Sequence, residues 1–114
     1  MIDWTEFNQY LQSYGQELIL KLIDMFIRDY PATIVSLRKS VAERDYPGID
    51  IISHDLKSNS ALFGGVESAN IAFTLETMGK EFNDDGIEAV LAEVELKSAQ
   101  LREELIEYRK TVSG

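Results

Sequence analysis

Apolar residues recur every three or four positions along almost the whole of this chain, and nowhere do they alternate over the length of a strand. Ile34, Leu37 and Val41 stand at i, i+3 and i+7, and Ile87, Leu91, Val94, Leu101, Leu105 and Tyr108 hold one face over several turns. That period predicts an all-α fold. The two prolines, Pro31 and Pro47, each precede a periodic run. A proline in the first turn of a helix loses no hydrogen bond, so both are read as helix starts. Gly15, Gly48, Gly64, Gly65 and Gly86 all fall near expected helix ends.

The expected helices span roughly 3–13, 16–29, 31–44, 48–63, 66–81 and 85–110. Trp4, Phe7 and Leu11 share a side of the first. Leu18, Leu22 and Met25 point inward from the second, with Ile19 and Phe26 as further candidates for the inner face. Ile71, Leu75, Met78 and Phe82 mark the fifth, and Asn83 or Asp84 is the expected N-cap of the last. Short connections favour antiparallel neighbours. A chain of 114 residues, 45% of them hydrophobic, can build one core. The expectation is a single domain over residues 1–114, an antiparallel four-helix bundle with a short additional N-terminal helix.

Composition removes several functions. A net charge of −9 repels phosphate backbones, so no nucleic-acid partner is expected. The most apolar run, Leu18 to Ile27, is short and interrupted by Lys21 and Asp24, too little to span a membrane. The first residues carry Asp3 and Glu6 and lack the order of a signal peptide, so a cytoplasmic protein without a membrane partner is expected. With no cysteine and one histidine there is no disulfide and no thiolate or histidine cluster for a metal. Asp84-Asp85-Gly86 lacks the spacing of a calcium loop. Gly64-Gly65 is not followed by a Lys–Ser/Thr pair, so neither a phosphate-binding loop nor a kinase core is present. From Glu81 to Glu95 there are six acidic residues and no basic one, read as a solvated face.

The single histidine, His54, lies in His54-Asp55-Leu56-Lys57-Ser58-Asn59-Ser60-Ala61-Leu62-Phe63-Gly64. At about 100° per residue, Ile49, Ile52, Leu56 and Phe63 form one stripe, with Asn59 and Ser60 at its edges. His54 falls on the opposite side with Lys57, Ser58 and Ala61, so it is expected to face water among small neighbours. Neutral imidazole is a nucleophile able to form covalent intermediates. Asp55 points about 100° away from His54 and is poorly placed to orient it, which disfavours a Ser-His-Asp hydrolase.

The segment His54-x-Leu56-Lys57-Ser58-x-Ser60-x-x-x-Gly64 resembles the signature of histidine-containing phosphotransfer (HPt) domains. Upstream, Phe26-x-x-Asp29-x-Pro31-x-x-Ile34-x-x-Leu37 is similar to a helix junction of that family. Downstream, Leu75-Glu76-x-x-Gly79-Lys80 resembles its Leu-Glu-x-x-Gly segment. The matches keep the family's order across roughly residues 16–110. The position after Lys57, commonly glycine in the family, is Ser58 here. Its hydroxyl either donates to a phosphoryl oxygen or is simply tolerated, and tolerance is favoured.

The resemblance implies a phosphoryl carrier without autokinase activity. His54 would be the phospho-acceptor, exchanging a phosphoryl group with aspartates of response-regulator receiver domains in a multistep phosphorelay fed by a hybrid sensor kinase. Lys57, one turn on, would balance phosphate charge, the alternative being an ordinary solvated lysine. Glu76 corresponds to a position that in some relatives hydrogen-bonds the histidine's other nitrogen, the alternative being a surface or end-of-helix contact. Leu56 is expected in the core, and Gly64 at the helix end where the chain turns. No cofactor is expected on this chain, with Mg²⁺ supplied by the receiver. The docking surface would comprise Asp50, Asp55, Lys57, Ser58, Ala61 and Leu62. Leu62 serves either a partner's apolar patch or burial against the next helix.

Met1 and the lack of a kinase or receiver segment favour a free-standing protein, and no long heptad seam demands a dimer, so a monomer is expected. Two other readings compete: a non-catalytic helical-bundle interaction module, and an enzyme using His54 as a general base. The second suffers from the lack of convergent polar groups. His54→Gln separates all three by whether transfer, nothing, or small-molecule turnover is lost.

Overall fold

The computed structural model describes residues 1–112. Residues 113 and 114 of the expected 1–114 domain lie outside the described residues. Five helices follow in order: α1 (Trp4–Tyr14), α2 (Gln16–Ala42), α3 (Tyr46–Leu62), α4 (Val66–Lys80) and α5 (Ile87–Thr111). The protein is all-α. Helices α2 to α5 pack in sequence and close on themselves, α2 against α5, as a four-helix bundle. At 1.5 Å per residue the 27 residues of α2 make a rod about 40 Å long, and the longest dimension of the molecule is 43 Å.

The shorter helix α3 cannot match the length of α2, and α1 makes up the difference. The two meet end to end: the Asp3 amide donates to the Gly64 carbonyl at 2.7 Å. From α1, Phe7 is buried and stacks edge-on with Trp4 and with Tyr108 of α5. Asp3 caps α1 by accepting from the amides of Thr5 and Glu6. Gly64 closes α3 with φ +71, its amide bonded to Ala61 and that of Gly65 to Ser60, a Schellman motif. A Cβ at Gly64 would lie 2.7 Å from the Asp3 carbonyl oxygen, so glycine serves both the turn and the junction.

Pro31 does not begin a helix. It lies inside α2, which runs unbroken through the boundary expected there. A proline at this position leaves the carbonyl four residues earlier, that of Ile27, without its helical donor. Arg102 of α5 supplies the replacement: its Nη2 and Nε donate to that oxygen at 3.0 and 3.2 Å. A donor from another helix is therefore what allows the junction to stay helical, and no sequence pattern within α2 announces it. Pro47 does sit in the first turn of α3, behind the Asp45 cap.

Continuity of α2 also fixes which side faces inward. Carrying the phase of Ile34, Leu37 and Val41 back through one uninterrupted helix selects Ile23, Phe26 and Ile19, all buried. Leu18 and Met25, expected inward, belong to the adjacent stripe and are exposed, while Leu22 is half-buried. Phe82 was also expected inward, yet it is 69% exposed. It ends α4 in the left-handed region with φ 53, which takes it off the Leu75–Met78 stripe and sets its ring 5.3 Å from that of Tyr46. Neither Asn83 nor Asp84 caps α5. Gly86 occupies that position, and the Asn83 side chain accepts from the Asp85 amide within the loop.

The bridging role of Arg102 can be measured. Arg102→Leu should destabilise the fold by about 1.5–3 kcal/mol, as expected for a hydrogen bond from a charged donor. In a Pro31→Ala background, where residue 31 regains an amide for Ile27, the same substitution should cost clearly less. Urea unfolding of the four proteins of this cycle checks it, and equal costs in both backgrounds would refute the bridge.

Candidate functional site

Helix α3 carries an apolar buried stripe and, beside it, a second partly buried row, with His54 on the solvent side of that second row. Ile49, Leu56 and Phe63 enter the core, with Ile52 half-buried beside them. A second row, Tyr46, Asp50, Ser53, Lys57 and Ser60, follows the i, i+4, i+7 rule along the side nearest α4. Its members meet α4 at several points. Ser60 and Ser68 hydrogen-bond at 2.8 Å in the interior. At the other end, a Cβ on Gly79 would lie 2.8 Å from the Asp50 amide nitrogen and 3.0 Å from the Tyr46 carbonyl oxygen. The helices approach so closely there that only glycine fits.

That approach brings Glu76, one turn before Gly79, against the base of His54. The carboxylate is 3% exposed and the imidazole 55%. Oε2 of Glu76 is 3.0 Å from Nδ1 of His54. Oε1 is 2.8 Å from Nζ of Lys57, in an ion-pair contact off the hydrogen-bonding angle. Nζ of Lys80 is 3.5 Å from Oε2 and 2.9 Å from Oδ1 of Asp50. The Lys57 ammonium also lies over the exposed Phe73 ring, 5.0 Å from its centroid.

Burial pushes the Glu76 carboxyl upward, but the close contacts with Lys57 and His54 outweigh it, and the net shift is downward. Glu76 is thus held as an anion. An ionised carboxylate only accepts, so the Nδ1 it faces carries the ring proton. Nε2, across the ring, keeps its lone pair on the solvent side. The arrangement presents an imidazole whose Nδ1 proton is held in place, an exposed nitrogen opposite and a buried anion behind it. A positive charge developing on the ring would be stabilised, as in nucleophile–base–carboxylate constellations generally.

The other sequence-derived positions fall around this centre unevenly. Ser58 is exposed on the His54 side, and Ala61 is half-buried. Asp50 is half-buried and occupied by Lys80. Leu62 is half-buried and packs against the core. Asp55 is exposed but turns toward α2, where it lines a groove of about 470 Å³ with Met25, Phe26 and Asp29. Leu56 and Gly64 occupy the core and helix-end places expected of them. Lys80 and Phe73 received no role from the sequence. The i, i+4 spacing of Glu76 and Lys80 is a visible signal for the first. The second depends on a contact between helices that spacing does not encode. Among the described residues no cluster of His, Asp and Glu could hold a metal ion, and no helix is long and apolar enough to cross a membrane.

Two substitutions test this geometry. Glu76→Gln leaves Lys57 and Lys80 facing a neutral amide and should cost about 1–3 kcal/mol at neutral pH. Because the folded carboxyl titrates below its ordinary 4.5, its contribution is present above that value and lost as pH falls through the lower folded one. The stability gap between wild type and variant should therefore close on acidification. A gap that stays constant from neutral pH to pH 3 would contradict the ion cluster. Gly79→Ala must push α3 from α4, costing about 1–3 kcal/mol by overpacking and weakening the His54–Glu76 bond. Denaturation and the imidazole ¹⁵N spectrum together report both effects.

Known proteins fit this picture. No curated protein sequence matches the chain. In three dimensions it is similar to the histidine-containing phosphotransfer protein B (HptB) from Pseudomonas aeruginosa PAO1. The TM-score is 0.87 at 20% identity, over 98% of this chain and 96% of that one, which is a likeness of fold. The family model of the Hpt domain matches residues 21–111, a span that holds His54, Lys57, Glu76 and Lys80, and the chain belongs to the Hpt family.

Proposed function

We propose that this chain is a phosphoryl carrier of a two-component phosphorelay, with Nε2 of His54 as the atom that takes and gives the group. The observation that carries the reading is the hydrogen bond from Nδ1 to the buried, ionised Glu76, which leaves the opposite nitrogen free and exposed. In the forward step the Nε2 lone pair attacks the phosphorus of a receiver's phosphoaspartate. The N–P bond forms, the bond from phosphorus to the aspartyl oxygen breaks, and the ring becomes a cation that keeps its proton on Nδ1 beside Glu76. Reversal returns the group to an aspartate. Nothing here requires ATP or a bound cofactor, since in-line positioning and the Mg²⁺ come from the receiver.

Lys57 is positioned to turn toward the phosphoryl oxygens, being one helical turn from His54 and tethered, among the described residues, by Glu76 and the Phe73 face. Ser58 leaves the approach to His54 open. The partners are response-regulator receiver domains and a hybrid sensor kinase, met as a cytoplasmic monomer through the surface around His54. Asp50, Asp55, Lys57, Ser58, Ala61 and Leu62 are its proposed members, with Leu62 contributing only the edge left outside the core.

Incubation of the wild type and His54→Gln with Mg²⁺ and a panel of phosphorylated receiver domains tests the proposal. Acid-labile, alkali-stable label on the wild type alone is the expected result. A folded protein that binds a receiver yet takes no label from it would instead mark a docking module without phosphoryl chemistry.

A further inference from the structure

Two cations share the Glu76 carboxylate, and they are not equivalent. Lys57 meets Oε1, an oxygen with no directed hydrogen bond of its own. Lys80 meets Oε2, the same oxygen that accepts from His54, and is anchored from behind by Asp50. Asp50 and Glu76 both raise the pKa of Lys80, so it stays charged. Among the described residues, the ionisable groups within ion-pair reach of Glu76 are His54 and Lys57 on α3 and Lys80 on its own helix, with Asp50 behind Lys80.

On the carrier reading of His54, these two contacts come apart during transfer. A phosphoryl group on Nε2 brings negative charge one turn from Lys57 and draws that ammonium off Oε1. Glu76 then faces a cationic ring through a single shared proton. If the proton crossed to the carboxylate, the ring would become a neutral phosphoimidazole, a poorer leaving group, and the phosphoryl group would be trapped. A cation in contact with the carboxylate opposes that crossing. Lys80 is the cation that remains.

We propose that Lys80, anchored on Asp50, is a positioning residue for phosphoryl transfer, keeping the proton shared by Glu76 and His54 on Nδ1 while Lys57 engages the phosphoryl group. Lys80 acts through Glu76 and does not touch the phosphoryl group. The division of labour follows from attachment: Lys57 shares a helix with the nucleophile and follows its chemistry, while Lys80 shares a helix with the carboxylate and stays with it.

The experiment compares wild type, Lys80→Met and Lys80→Arg, each phosphorylated with phosphoramidate. In that reaction the donor's P–N bond breaks, ammonia leaves, and the Nε2–P bond forms. The side chain of Lys80 is 55% exposed, so all three should fold, and circular dichroism checks it. At neutral pH the Nδ1 ¹⁵N signal of the phosphorylated ring should be that of a protonated nitrogen in wild type and Lys80→Arg. In Lys80→Met it should move toward the unprotonated position. Transfer onward to a receiver should then slow about tenfold, the effect of one pKa unit on the proton's distribution, with rescue by arginine. A Lys80→Met protein whose phosphorylated ring and transfer rate match wild type overturns the proposal. So does one in which only thermal stability changes. A wild type that takes no phosphoryl group at His54 would instead sink the carrier reading on which this rests.

Discussion

A buried carboxylate sets the chemistry of an exposed imidazole in this protein. Glu76 is almost fully removed from water yet remains an anion, because three donors from two helices converge on its two oxygens. An isolated carboxylate in that place would take up a proton. The ion cluster and the exposed histidine therefore depend on each other: the donors keep Glu76 charged, and Glu76 decides which ring nitrogen faces solvent.

The close approach of α3 and α4 makes this cluster possible. Glycine at 79, the hydrogen-bonded pair Ser60–Ser68 and the buried Ala72 keep the interface thin. A larger residue at Gly79 would meet the backbone of α3 directly. The rest of the bundle holds that pair in place. The long α2 and α5 run the length of the molecule, with Arg102 bridging them at the carbonyl that Pro31 leaves open. α1 covers the end that α3 does not reach. Polar contacts thus stand at the few points where the apolar repeat alone would not fix the geometry.

The surface around His54 combines an open centre with occupied flanks. Ser58 keeps the approach small, Lys57 lies across the Phe73 ring, and Asp50 is tied to Lys80. Two of the charged groups a partner would meet are thus already paired in the free protein. Engaging them means exchanging one ion pair for another, and such exchanges have a small net energy near water. On the proposed carrier function, that suits a surface that would release its partner after each encounter.

The sequence by itself determined the helical class, the outward side of His54 and the core places of Leu56, Ile34, Leu37 and Val41. Each follows from a period of 3.6 residues, a local property that a single chain segment carries whole. Tertiary structure decided the rest. Pro31 reads locally as a helix start and became helix interior because a guanidinium from another helix reached its orphaned carbonyl. That change also took Leu18 and Met25 off the inward face of α2, kept Ile19 and Phe26 on it and added Ile23. Phe82 left the core because the chain turns through a left-handed residue there. The ring nitrogen facing solvent was fixed by Glu76, 22 residues away from His54 in sequence. Periodicity says which way a side chain points along its own helix. Only the packing of two helices says what it points at.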